Sequence, residues 1–175
     1  MGVSKGGFCA LHAALEQPWR RQIRFAFHIS LVPPVHFQMR HPKALGGPIL
    51  LLVGEKDDFT PAKNATAYLN RICALNPHLH TETHVIAGAS HAWESTGELR
   101  WLAQAERYDH CLFYLEDDGQ ITDVQTGIPM AQDAFYASMR RYARLGAHYG
   151  GGTPKLFQET CQKILHFIQG VVPLS

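Results

Sequence analysis

Apolar positions recur along this chain in two different periods, and the period predicts the element. From Gly6 to Leu15, the residues Phe8, Leu11 and Leu15 share one helical face, and Pro18 stands as the stop. Arg24-Phe25-Ala26-Phe27-His28-Ile29-Ser30 alternates and predicts a strand. Leu31 to Gly47, with Pro33-Pro34 and Gly46-Gly47, reads as a loop. Pro48 to Val53 is uninterrupted apolar sequence ended by Gly54, the pattern of a strand covered on both faces and hence of a parallel sheet. Thr60 is the expected N-cap and Pro61 the first residue of a helix whose buried face carries Ala65, Leu69 and Ile72. Thr81 to Ile86 predicts a third strand.

Leu99 to Gly127 is less regular. Cys111 to Leu115, Asp117-Asp118-Gly119 and Ile121 to Val124 together predict a β-hairpin insertion near 110–124. A helix is expected from about Ala131 to Leu145, ended by Gly146. Gly150-Gly151-Gly152 is a turn, and Pro154 opens a last amphipathic helix through Ile168. Strand, helix, strand, helix, strand is the order of an α/β domain with right-handed crossovers and a mostly parallel sheet flanked by helices. The triglycine lacks a following G-K-[ST] and no strand is predicted before it, so a phosphate loop is not expected.

Composition narrows this picture. The 175 residues are 46% hydrophobic and 18% charged, enough for a single domain, 1–175, with a true core. Lys+Arg 16 against Asp+Glu 15 leaves no basic excess for nucleic acid or an acidic membrane surface. No apolar run approaches the roughly 18 residues of a membrane span. Cys9, Cys73, Cys111 and Cys161 form no C-x-x-C pair, and Cys9 and Cys161 fall in amphipathic helical patterns that predict buried free thiols. No signal peptide is legible, so the default compartment is the cytoplasm.

Candidate chemistry begins at the first residues. Gly2-Val3-Ser4-Lys5-Gly6 fits G-x-S-x-G, in which a serine sits on a sharp strand-to-helix turn. Glycine two residues to either side removes side chains that would collide with neighbouring backbone. The helix behind aims its N-terminal N–H groups at developing negative charge, and the N–H of Lys5 is the expected oxyanion donor. A serine needs a base, and the base an orienting acid. Glu55, Asp57 and Asp58 follow the apolar strand directly, and His91 follows the third strand. All therefore fall at the C-terminal edge of the sheet, where open α/β sheets bind ligands. Phe59 and Trp93, beside acid and base, are candidates for an apolar substrate pocket, with ordinary packing as the alternative. His12 and His28 fall on helix and strand patterns as satisfied structural histidines. His78, His80 and His84 read as a solvated loop and strand edge, and neither metal nor other cofactor is expected.

The elbow G-V-S-K-G-G, the acid loop G-E-K-D-D-F-T-P-A, the histidine loop A-G-A-S-H-A-W and the stretch Y-G-G-G-T-P resemble the motifs of the dienelactone hydrolase family of α/β-hydrolases. The resemblance spans nearly the whole chain but only the C-terminal part of that family's domain. It implies Ser4 as nucleophile, Asp57 as orienting acid and His91 as base, with Asp58 a capping or solvated carboxylate. The family's namesakes use cysteine where this chain has Ser4, so the implied substrate is a small carboxylic ester or lactone rather than a dienelactone. The resemblance also implies that strands with the second oxyanion donor precede Met1. On that expectation Arg24 to Ser30 is a bare edge strand and the chain tends to self-associate. Two rival readings stand beside this one: a catalytically silent remnant acting as an interaction fragment, and a serine peptidase of prolyl-oligopeptidase type.

Overall fold

The computed structural model describes residues 1–17, 23–95, 97–131 and 135–172. Pro18 and part of the expected 131–145 helix lie outside them. The first half of the chain forms β1 (Gly2–Val3), α1 (Lys5–His12), β2 (His28–Leu31), β3 (Phe37–Met39), β4 (Ile49–Gly54), α2 (Ala62–Leu75) and β5 (Thr81–Ile86). The second half forms β6 (Arg100–Arg107), β7 (Phe113–Leu115), β8 (Ile121–Asp123), α3 (Phe135–Arg140), β9 (Arg144–Tyr149) and α4 (Pro154–Val171).

The fold is mixed α/β. Its main sheet has the order β1-β2-β4-β5, every neighbouring pair parallel. β4 explains the unbroken apolar run. Ile49, Leu51 and Val53 enter one core with Leu11, Leu15, Leu69 and Ile72 of the α1–α2 side. Leu50 and Leu52 enter a second core on the opposite face, with Ile86, Trp93 and Phe167 of α4. Each fully buried aliphatic side chain contributes about 1.5–3 kcal/mol of transfer free energy, so a strand covered on both faces fixes the sheet's centre.

Several elements differ from their predicted bounds. β2 starts at His28, because His28 pairs with Ile49, the first residue of β4, and nothing lies opposite residues 24–27 in the ladder. β2 is also internal, paired by β1 and β4, so the sheet's edges are β1 and β5 rather than the Arg24–Ser30 segment. α1 ends at His12, although Ala14 and Leu15 stay buried beyond it. Pro61, not Thr60, caps α2, which starts at Ala62.

The hairpin β7–β8 forms as expected, and Gly119 takes φ 86° in its turn. It belongs to a second sheet, β3-β7-β8, whose β3 falls in the predicted loop. The C-terminal end of the expected 131–145 helix is instead β9. It pairs antiparallel with β6 in a two-stranded ribbon, where the bare Cα of Gly146 lies under the ring of Trp101. A strand therefore does lead into the triglycine. Cys9 is exposed and Cys161 half-buried, against the expectation of buried thiols, and all four cysteines are free. Among the described residues, no helix is long and apolar enough to cross a membrane.

Candidate active site

Ser4 sits between the two residues of β1 and the first turn of α1, with φ 51° and ψ −117°. A non-glycine residue held there costs on the order of 1–3 kcal/mol and persists only where its surroundings impose it. They do. The Ser4 N–H donates to the Leu31 carbonyl at 2.9 Å, and the Ser4 carbonyl accepts from Phe8 at 2.9 Å. A Cβ on Gly2 would lie 2.1 Å from the Gly6 carbonyl oxygen, and one on Gly7 2.3 Å from that of Leu31. A Cβ on Gly6 meets nothing within 4 Å. The crowded pair is thus Gly2 and Gly7, a correction to the two-on-each-side expectation. Ser4 occupies the N-cap position of α1, yet its side chain makes no capping hydrogen bond. The hydroxyl is left for another partner.

That partner is His91, whose Nε2 lies 3.1 Å from Ser4 Oγ. His91 Nδ1 lies 2.9 Å from Asp57 Oδ2. A carboxylate only accepts, so Nδ1 carries the proton and Nε2 presents its lone pair to the Ser4 O–H. His91 and Asp57 are buried, at 1% and 5% exposure. Asp57 is in turn held from its own loop: Oδ1 accepts from the N–H of Phe59 at 2.9 Å and of Thr60 at 2.7 Å. Thr60 Oγ1 donates to Asp57 Oδ2 at 2.8 Å, and lies 3.1 Å from His91 Nδ1 and 3.2 Å from the Val32 carbonyl. Thr60 is the site residue that sequence reasoning missed, since Thr-Pro before a helix reads as a cap.

Two further left-handed residues stand at the same sheet edge. Val32 (φ 41°) follows β2, and Ala92 (φ 62°) follows His91. Branched Val32 is the costlier of the two. Behind the histidine loop, the triglycine allows backbones to touch. The Gly150 N–H donates to the His91 carbonyl at 2.8 Å, and Ser90 Oγ donates to the Gly150 carbonyl at 2.6 Å. A Cβ on Gly152 would lie 1.9 Å from the Ser95 carbonyl oxygen and 2.0 Å from that of Trp93.

Ser4 opens into a cavity of about 590 Å³. One wall comes from the main-sheet side, with Lys5, Phe8, Pro33, Pro34 and Phe59, and the other from the excursion 98–150, with Tyr108, Tyr136 and Met139. Lys5, the first residue of α1, lines the cavity beside Ser4, and its N–H leads the helix's free N-terminal donors. Phe59 lines it too, its ring 4.7 Å from that of His91. Trp93 does not. It is fully buried in the α4-side core, where its indole N–H donates to Thr160 Oγ1 at 2.8 Å, so the expected pocket role is corrected to packing.

Burial pushes His36, on the cavity wall, down to about 4, so it is neutral at neutral pH. Burial pushes the Tyr108 hydroxyl up to about 12, helped by its hydrogen bond to Glu106.

Asp58 stands apart from the Ser4–His91–Asp57 line. Its carboxylate accepts from the His148 N–H at 2.9 Å and lies 2.8 Å from His148 Nδ1, tying the acid loop to β9. His12 and His28 are buried, but the Nε2 of each lacks a hydrogen-bond partner among the described residues, so neither is fully satisfied. His78 and His80 are exposed, and His84 is half-buried on the edge strand β5. Compared with known proteins, the chain matches no family model and no curated protein.

Proposed function

We propose that this chain carries the active centre of a serine hydrolase for small carboxylic esters or lactones, built on the C-terminal part of an α/β-hydrolase fold of dienelactone hydrolase type. One observation carries the reading: the line Asp57 Oδ2, His91 Nδ1, His91 Nε2, Ser4 Oγ, with steps of 2.9 Å and 3.1 Å, ends on a strained serine facing an apolar cavity.

The chemistry runs as general-base and nucleophilic catalysis. His91 Nε2 takes the Ser4 hydroxyl proton as Oγ bonds to the carbonyl carbon. The carbonyl oxygen becomes an oxyanion facing the Lys5 N–H at the positive end of α1. Collapse breaks the ester C–O bond, and the leaving alkoxide takes the proton from His91, giving an alcohol and an acyl-Ser4. Water, deprotonated by the same Nε2, releases the acid and returns the proton to Ser4. Asp57 holds Nδ1–H throughout and stabilises the transient imidazolium. The lining, largely apolar although Lys5, Glu106 and Asp109 belong to it, suits an uncharged acyl or alkoxy group.

The test is hydrolysis of an activated ester such as p-nitrophenyl butyrate, with stoichiometric labelling by a fluorophosphonate as a second readout. The parent hydrolyses and is labelled, whereas Ser4→Ala loses labelling and falls by about 10³-fold or more. Equal rates in parent and Ser4→Ala would remove the assignment. An aminoacyl amide beside the ester distinguishes a peptidase.

A further inference from the structure

We infer that β5 is a docking edge for a second copy of this chain, joined antiparallel about a two-fold axis through Thr83. β5 ends the main sheet on one side and packs against β4, α2 and α4. The carbonyls of His80 and Ile86 accept from the N–H groups of Ile49 and Glu55 on the β4 side. Backbone polar groups alternate sides along a strand, so His80, Glu82, His84 and Ile86 turn theirs to β4. Thr81, Thr83 and Val85 turn theirs outward. Thr83 and Val85 are exposed, Val85 at 54%.

Most of the usual protections of a strand edge are lacking, Glu82 being the one acidic side chain on it. Natural edges are blunted by lysine, proline, a bulge or extreme shortness. β5 has six residues with no Lys or Pro, and its register with β4 is unbroken.

What singles out a second copy as occupant is charge complementarity under the two-fold. With Thr83 opposite Thr83, the outward residues form hydrogen-bonded pairs, Thr81 lying across from Val85 of the other copy. The rungs between them bring Glu82 across from His84 of the other copy, and His84 across from Glu82. These are the non-hydrogen-bonded positions, where antiparallel side chains approach most closely. Both pairs lie on the α4 side, since Glu82 and His84 are in register with Leu50 and Leu52 of that core. Within one chain the Glu82 carboxylate already lies 3.5 Å from His80 Nε2 and 3.6 Å from His84 Nε2, so imidazole and carboxylate alternate along this face of the strand. Moving the axis to Val85 puts Ile86 across from His84 and leaves Glu82 without a basic partner.

The experiment is analytical ultracentrifugation across a dilution series, paired with oxidative cross-linking in a Cys9→Ser background, since Cys9 is an exposed thiol. Opposed Thr83 residues sit about 5.5 Å apart at Cα, within disulfide reach, whereas the two Thr81 residues are roughly 14 Å apart. The parent is expected to dimerise, with Thr83→Cys forming a covalent dimer and Thr81→Cys none. Thr83→Pro removes an outward N–H at an edge position, so it becomes monomeric with unchanged far-ultraviolet dichroism. Glu82→His weakens the dimer, and adding His84→Glu restores it. A parent monomeric throughout, a dimer that survives Thr83→Pro, or cross-linking at Thr81 as efficient as at Thr83 would overturn the inference. None of these readouts depends on hydrolysis.

Discussion

Thr60 fixes both oxygens of the acid that orients His91. Its N–H and hydroxyl donate to opposite oxygens of Asp57, and its Oγ1 also lies beside His91 Nδ1 and the Val32 carbonyl. The carboxylate therefore cannot swing without breaking both contacts. Thr60→Val keeps the shape and the N–H but loses the hydroxyl, freeing one oxygen of Asp57. Reacting groups misplaced by an ångström forfeit about 10²-fold in rate. Thr60→Val should thus lower kcat by that order with KM little changed, while Thr60→Ser restores most of it. A variant that loses melting temperature but keeps kcat would mean Thr60 only stabilises the loop. The line Ser4, His91, Asp57 was legible because each member stands in a short local pattern at a strand end. Thr60 was not, because its partners are selected by the fold: Val32 is 28 positions away and His91 31. Pocket and packing could not be told apart for Trp93 for the same reason, as its partner Thr160 is 67 positions away.

At the level of the element, α1 separates two glycines that look alike in the sequence. Gly6 is exposed with open space at its Cβ, whereas a Cβ on Gly7 would strike the Leu31 carbonyl that holds Ser4 in place. Alanine is the better helix former by about 1 kcal/mol. Gly6→Ala should stabilise the protein by up to that amount, read as a higher urea midpoint with activity kept. Gly7→Ala should destabilise it by about 1–3 kcal/mol and displace the elbow, lowering activity as well.

The same helix carries a pH dependence. Burial pushes His12 down to about 4, as it does His36 ahead of β3. Between about pH 4 and 6.5 the unfolded chain binds protons that the folded chain refuses, so stability rises with pH across that window. The contribution is complete above 6.5 and is lost on acidification, at most about 3 kcal/mol for each group. Urea midpoints should fall from pH 7 to pH 5, and His12→Phe should flatten the slope.

Element by element, legibility followed burial. β4, buried on both faces, and α2, with one buried stripe, announce themselves through apolar spacing. β6 and β9 do not, because a two-stranded ribbon exposed on most of its length has no buried face to set a period. Phe135, Met139 and Tyr142 recur at helical spacing and pack in the cluster around Phe113, and the expected helix overran into Arg144 and Leu145, the first two residues of β9.

In the molecule as a whole, the chain leaves the main sheet near Glu98 and returns at Gly150, and a Cβ on Gly150 would lie 2.6 Å from the Glu98 carbonyl oxygen. The excursion between them supplies one wall of the cavity and is tied back at separate points. Arg40 makes a bidentate pair with Glu116, Asn64 donates to the Asp109 carbonyl, and Arg107 and His148 both reach Asp58. Neighbouring acids on one loop thus serve different ends, Asp57 facing His91 and Asp58 the excursion. The Asp58–His148 pair is partly exposed, with 34% and 46% of the side chains accessible, so its loss costs under about 1 kcal/mol. Asp58→Ala should leave kcat on a short-chain ester within a few-fold of the parent. It should raise KM for a long-chain ester, whose acyl group must contact both walls. Asp57→Asn should instead lower kcat by about 10⁴, as loss of the orienting carboxylate does in a serine triad. Matched kinetics on short and long esters separate the two residues. If Asp58→Ala lost kcat on every substrate while Asp57→Asn kept it, the roles of the two carboxylates would be exchanged.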